Sequence, residues 1–221
     1  MKKGDIMEKD YRQKSYEYWD DVYQRYNNTT ESIKTDDWLD RFAELIAESK
    51  EPVLDLGCGG GNNTKYLLGK GKQVIACDQS KTAIADIRRN FPELTEAKCF
   101  NMLDGLQFAD ASFSVVIADL CLHYFTEKDT EYLLGEIRRI LKPGGHLMLR
   151  VNSMNDVNHG AGKGIEIEHH VYETERGTLK RFFDEEDIKK IFGSFEIEYA
   201  KEEIMSRYSL EKRLFRVCLR K

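Results

Sequence analysis

The stretch VLDLGCGGGNNTKYLL, residues 53–68, decides the fold. An apolar strand runs into glycines at 57, 59, 60 and 61. Glycine accepts left-handed backbone and carries no side chain, so something approaches the main chain closely here. Three readings fit: a dinucleotide, another nucleotide-derived ligand, or a tight turn that binds nothing. Register separates them. A dinucleotide loop needs G-x-G-x-x-G, with the third Gly allowing helix–sheet contact over a pyrophosphate. From Gly57 that place is held by Asn62, and from Gly59 by Thr64. A phosphate-cradling Walker loop needs Gly-Lys-Ser/Thr, whereas Lys65 follows Thr64. What remains is D-x-G-x-G-x-G, filled by Asp55, Gly57, Gly59 and Gly61.

Strands and helices alternate outward from this loop. Pro52 starts a strand over 53–56, Asn62 or Asn63 caps a helix to about 68, and Gly69 and Gly71 stop it. Residues 73–77 read as a second strand. Ser80 caps a helix that ends near Asn90, before Phe91-Pro92. Residues 97–100 and 113–118 are further strands, the latter apolar enough to be covered on both faces. Residues 129–141 place Leu133, Leu134, Ile137, Ile140 and Leu141 on one helical face. Pro143-Gly144-Gly145 turns that helix into a fifth strand, 146–151. Asp184 caps a last helix to Phe192, and 195–200 and 208–219 close the chain as a sheet edge or hairpin.

Upstream, Tyr16, Trp19, Tyr23 and Tyr26 recur at helical spacing. Residues 36–48 form an amphipathic helix with Trp38, Leu39, Phe42, Leu45 and Ile46, after Asp36 and Asp37. Residues 152–180 lack clear periodicity and read as a long substrate-side insertion. The expected fold is α/β: a doubly wound, mostly parallel, seven-stranded Rossmann-like sheet with an antiparallel C-terminal strand. Residues 1–50 are expected to supply helices that form a lid, and 51–221 the main domain. Such a sheet binds ligands beyond the carboxyl ends of its strands, where the glycine loop falls.

Composition narrows the function. The chain has 221 residues, 41% apolar and 33% charged, which suits a folded globule. A net charge of -5 makes no general case for nucleic acid. No apolar run approaches membrane-spanning length, and Lys2 and Lys3 have no hydrophobic region behind them. Cysteines at 58, 77, 99, 121 and 218 are scattered, fitting reduced thiols in a cytoplasmic protein. The histidines show no ligand spacing, His169 and His170 being merely adjacent, so no metal site is expected.

The D-x-G-x-G-x-G loop resembles motif I of the class I S-adenosylmethionine-dependent methyltransferases. Residues 112–125, SFSVVIADLCLHYF, resemble the motif after that family's fourth strand, and 138–151, RRILKPGGHLMLRV, the motif that follows it. The resemblance spans about 51–151 and implies S-adenosylmethionine as methyl donor, leaving S-adenosylhomocysteine as product. It implies cofactor contacts from Asp55, Gly57, Cys58, Gly59 and Gly61, with Asp55 near the ammonium group. Asp78 and Gln79 are expected at the ribose, and Asn101 and Met102 at the adenine, with Asp104 as rival acid. Ala118, Asp119 and Leu120 would lie near the sulfonium, and Tyr18 and Trp19 would cover the methionine end. R-V-N-S after the fifth strand and Phe182-Phe183-Asp184-Glu185-Glu186 resemble small bacterial methyltransferases of the tellurite-resistance type.

The resemblance implies in-line methyl transfer to a small acceptor in an enclosed pocket. His123 is the candidate base or orienting group, and Tyr124, Asn152, His159 and Glu166 are the candidate substrate-side residues. No nucleic-acid or membrane partner is expected. A monomer is expected, with a homodimer open. A non-catalytic S-adenosylmethionine sensor and a protein methyltransferase stand as alternatives.

Overall fold

A computed structural model of the chain describes residues 3–25 and 32–221, with side chains in the first segment from residue 11 onward. Tyr26, the last member of the aromatic stripe, lies outside the described residues.

Helix α1 (Lys3–Arg25) precedes a 3-10 turn (Asp40–Phe42) that continues into α2 (Ala43–Glu48). The helix expected over 36–48 is shorter, helical only over 40–48, while Trp38, Leu39, Phe42 and Ile46 are buried as expected. The alternation then runs β1 (Val53–Leu56), α3 (Asn62–Gly69), β2 (Val74–Asp78), α4 (Lys81–Asn90), β3 (Glu96–Cys99), β4 (Phe113–Asp119), α5 (Glu127–Ile140) and β5 (Leu141–Asn152). Short strands β6 (Ile165–Glu168), β7 (Val171–Glu173) and β8 (Leu179–Arg181) follow, then α6 (Glu185–Ile191), β9 (Glu196–Met205) and β10 (Lys212–Arg220).

The main sheet has seven strands in the order β3-β2-β1-β4-β5-β10-β9. β1 to β5 pair in parallel, and β10 runs antiparallel to both β5 and β9. The fold is therefore the expected doubly wound α/β sheet. Its order reverses between β1 and β4, which opens a crevice at their carboxyl ends. Four consecutive buried residues in β1 and an almost wholly buried β4 mark strands covered on both faces.

Local chemistry sets the helix ends. Ser80 Oγ accepts from the Ala83 amide, and Thr126 caps α5 through the Asp129 amide. Asp184 and Asp187 form a reciprocal capping box on α6. Neither Asn62 nor Asn63 caps α3. Gly61, at φ 87°, occupies that position. Left-handed backbone there favours Gly over Asn and lets the loop turn sharply into the helix.

Two elements depart from the sequence reading. β5 begins at Leu141, and its pairing jumps from Phe113↔Leu141 to Val115↔His146. The Pro-Gly-Gly turn is thus an irregularity within the strand. Residues 165–181, expected as loop, form a second antiparallel sheet in the order β6-β7-β8. Strands of three or four residues are too short to establish a period, while Gly164 and Gly177 permit the tight backbone. Phe183 donates its amide to Asn152 O at 2.9 Å and joins this segment to the end of β5.

Gly61 also separates packing from strain. A Cβ there would meet Ile87 Cδ1 at 2.7 Å and Phe91 Cε2 at 2.8 Å, whereas one at Gly71 meets nothing within 4 Å. Both residues have positive φ. Gly71→Ala is expected to cost about 1 kcal/mol from backbone strain alone, and Gly61→Ala roughly 2–4 kcal/mol. Urea unfolding checks the difference, and equal costs would contradict the packing account.

Candidate functional site

The crevice opens into a cavity of about 790 Å³. Its floor is the glycine loop and the carboxyl ends of β1, β2, β4 and β5. Its roof is α1, which contributes Tyr18, Trp19 and Tyr23.

The loop is shaped by what must fit beside it. Gly57 has φ 71°, and a Cβ there would stand 2.6 Å from Cys121 Cβ. Gly59 has φ 51°, and its Cβ would collide with the Tyr23 hydroxyl of the roof. Gly61 faces α4 and is not a cavity residue. The alternate glycines thus serve three neighbours in turn: the β4 loop, the roof and a packed helix.

Asp78 ends β2 and holds this loop. Its carboxylate accepts from the Gly59 amide at 3.0 Å and the Ser80 amide at 2.9 Å. Burial raises its pKa, against the pull of these amides. Two donors leave further lone-pair positions on the carboxylate for another hydrogen-bonding partner.

The roof is tied down at both ends. Asp20 accepts from Ser80 Oγ at 2.6 Å and from the Thr82 amide at 3.2 Å, at the start of α4. Its bond from Ser80 lowers the Asp20 pKa. Arg12 reaches Asp129 at 2.8 Å, on the first turn of α5. Between them, Trp19 stacks on Tyr23 at 5.9 Å and meets Tyr124 edge-on at 5.3 Å.

Several expected residues line the cavity: Gly57, Cys58, Gly59, Asp78, Gln79, Asn101, Met102, Asp119, Leu120, His123, Tyr124 and Asn152. Asn101 rather than Asp104 faces it, and Asp104 is exposed. Asn101 Oδ1 already accepts from the Leu103 amide at 3.0 Å, which turns its NH₂ toward Gln79. Leu120 has φ 54°, costly for a branched side chain. Its amide is held by Arg150 O at 3.0 Å.

Other expected residues stand elsewhere. Asp55 is fully buried behind the loop, bonded to Thr64 Oγ1 at 2.6 Å, and is not a wall residue. Burial raises its pKa to about 7. Ala118 is buried in the main core. Glu166 accepts from the His170 amide at 2.9 Å on the small sheet. His159 stands behind the wall, bonded to Asp156, which in turn contacts Lys212. The sequence reading also did not foresee that His169 and His170 come together with Asp187. Asp187 already closes the α6 capping box and bonds His170 Nδ1 at 2.7 Å.

Asp119 is committed to an ion pair. Arg150 binds it through Nε and Nη2, both at 2.7 Å, and also reaches Asp36 at 2.7 Å. Burial opposes the Asp119 charge, but Arg150 outweighs it and holds the pKa low. His123 is 1% exposed, and its Nδ1 has no partner among the described residues. Burial, then Lys212 and Lys180, depress its pKa well below 6.5, so the ring stays neutral.

Sequence reasoning missed Arg207, Tyr208 and Lys212, which reach the cavity from the β9–β10 hairpin. Only the pairing of β10 with β5 brings them there.

The strand order and the solved structures it matches give the fold of the class I S-adenosylmethionine-dependent methyltransferases. Residues 54–149 match the methyltransferase domain family. An uncharacterized methyltransferase of Synechocystis is 32% identical over 111 residues, 48% of this chain and 51% of that protein. A tRNA N(3)-methylcytidine methyltransferase of Schizosaccharomyces pombe is 27% identical, over 85% of this chain and 81% of its own. In structure, TehB from Haemophilus influenzae aligns with TM-score 0.63 at 16% identity, over 92% of this chain and 67% of that one. The chain thus spans about half the length of the Synechocystis relative. The residues present fit the cofactor: the backbone of residues 57–60 lines the cavity, and Asp78 offers a buried acceptor beside it.

Asp55 makes a pH signature. Its raised folded-state pKa means that the folded chain binds more protons than the unfolded chain between about pH 4 and 7. The Asp55 contribution to stability is present at low pH and falls as pH rises through that window. Asp55→Asn, which cannot ionise, should flatten this part of the curve in urea titrations at pH 4 to 7. An unchanged pH slope would contradict the assignment.

Proposed function

We propose that the chain transfers a methyl group from S-adenosylmethionine to a small-molecule acceptor enclosed beneath α1. The observation that carries this is the cavity itself, bounded by the glycine loop and Asp78 on one side and roofed by Trp19, Tyr23 and Tyr124. When bound, the cofactor supplies a methyl group on a sulfonium, already a good leaving group.

The chain's own residues position and exclude. Gly57 and Gly59 admit the methionine part against the backbone. Asp78, with Gln79, is the acceptor for the ribose hydroxyls, and Asn101 and Met102 meet the base. Asp119, fixed by Arg150, presents the strand end beside the sulfonium through Leu120. Tyr18 and Trp19 form a lid that keeps water from the reacting carbon. His123 orients the acceptor through its unpartnered Nδ1 rather than serving as a strong base, because burial keeps its basicity low.

A nucleic-acid acceptor is the competing reading raised by the yeast relative. The net charge of -5 and the position of α1 across the cavity favour the smaller acceptor. The resemblance to tellurite-resistance enzymes supports testing chalcogen oxyanions among other acceptors.

A panel of thiols, amines, carboxylates and chalcogen oxyanions, assayed with radiolabelled S-adenosylmethionine, tests the proposal. Methyl transfer to at least one small acceptor is expected. Tight cofactor binding without turnover, or turnover only on RNA or protein, would refute it. The lid has its own test. Trp19→Ala should weaken S-adenosylhomocysteine binding about tenfold, the loss of one large aromatic contact. Unchanged affinity by calorimetry would show that α1 is only a packing element.

A further inference from the structure

Resting on the methyl-transfer reading, the acceptor end of the cavity has a chemistry of its own. Lys212, at the start of β10, points its Nζ to Asn152 Oδ1 at 2.7 Å and to Asp156 Oδ2 at 3.0 Å. That bond fixes the Asn152 amide: its oxygen is taken, so its NH₂ is turned away from Lys212. Asn152 is fully buried, lines the cavity, and its Nδ2 has no partner among the described residues. A buried amide donor left unpaired is costly, so the site is built to receive an acceptor atom.

Arg207 completes the set from the β9–β10 turn. It lines the same cavity, and its buried Nη1 has no partner among the described residues. Its guanidinium carbon lies 5.7 Å from the Tyr208 ring, which flanks the same opening. The nearby carboxylates are already engaged. Asp119 is bound twice by Arg150. Asp156 is shared by Lys212, the Arg213 amide and His159. Arg207 adds to Arg150 in holding the Asp119 pKa low, yet no salt bridge ties its guanidinium among the described residues, and its Nη1 stands unpartnered on the same wall as Lys212 and the orphaned amide donor.

We propose that Arg207 and Asn152, backed by Lys212, form a carboxylate subsite that holds the acid group of the methyl acceptor. A guanidinium fork binds a planar carboxylate through two parallel hydrogen bonds, and the Asn152 NH₂ adds a third donor. Tyr124 and Tyr208 flank the opening and suit an apolar or aromatic body attached to that acid. Specificity follows from the unpaired donors: an amide analogue keeps one accepting oxygen but sets an NH₂ against the second donor and carries no charge, so it binds less well. The methionine end of the cofactor also carries a carboxylate, and the test separates the two sources.

The full chain is first titrated with S-adenosylhomocysteine, then, when saturated, with acetate and benzoate and their neutral amides, acetamide and benzamide. Calorimetry should show at least one carboxylate binding about tenfold tighter than its amide. Arg207→Gln should abolish that preference while S-adenosylhomocysteine affinity stays within about twofold. Asn152→Asp, which keeps an oxygen for Lys212 and replaces the donor by a negative charge, should abolish it as well. Equal binding of carboxylates and amides to the saturated chain overturns the subsite alone. Loss of S-adenosylhomocysteine affinity in Arg207→Gln, with the carboxylate preference intact, assigns Arg207 to the cofactor and also overturns it. Failure of S-adenosylhomocysteine to bind the unaltered chain removes the underlying methyl-transfer reading.

Discussion

The carboxylate of Asp78 is the group on which the cavity depends. It ends β2, accepts the Gly59 amide and accepts the Ser80 amide. In a loop with left-handed residues at 57, 59 and 61, Cys77 O accepts from the Gly57 and Cys58 amides, Cys58 O accepts from the Gly61 amide, and Asp78 fastens the Gly59 amide at the centre. The same carboxylate sets the start of α4, where Ser80 caps the helix and donates a hydrogen bond from its hydroxyl to Asp20 of the roof. Floor, helix and roof therefore meet within one hydrogen-bonded chain. A carboxylate so buried carries a desolvation cost that the backbone donors offset only in part, so its pKa stays raised.

A second buried cluster secures the opposite wall. Arg150 joins Asp119 at the end of β4 to Asp36, and its guanidinium lies 4.6 Å from the Trp38 ring. Such an ion pair adds little net stability once desolvation is counted. Its effect is positional: it fixes the end of β4 and leaves Leu120 in an unfavourable backbone conformation facing the cavity. Asp119 also faces the hairpin, where Arg207 adds to Arg150 in holding its pKa low.

Much of this was legible in the sequence because local chemistry carried it. The alternation of apolar strands and capped helices, the alternate glycines and Asp78 each have a reason readable within a few residues. What was not legible depended on distance. Asp55 looks like a ligand group in sequence, yet its partner is Thr64 in the first turn of α3, and the pair is sealed behind the loop. The strands between 165 and 181 are too short for a period to emerge, and pairing with one another is what defines them. Nothing in the residues beside Arg207 and Lys212 marks them as cavity groups. Only the antiparallel return of β10 beside β5 carries them to the cavity.

On the reading proposed above, the cavity holds S-adenosylmethionine between the glycine loop and α1. A crystal structure of the chain with S-adenosylhomocysteine tests it most directly. The account predicts the ribose hydroxyls on Asp78, the methionine part against Gly57 and Gly59 beneath Trp19, and the sulfur directed toward His123 and Asn152. A ligand bound outside this cavity, or one within it whose ribose leaves Asp78 untouched, would contradict it.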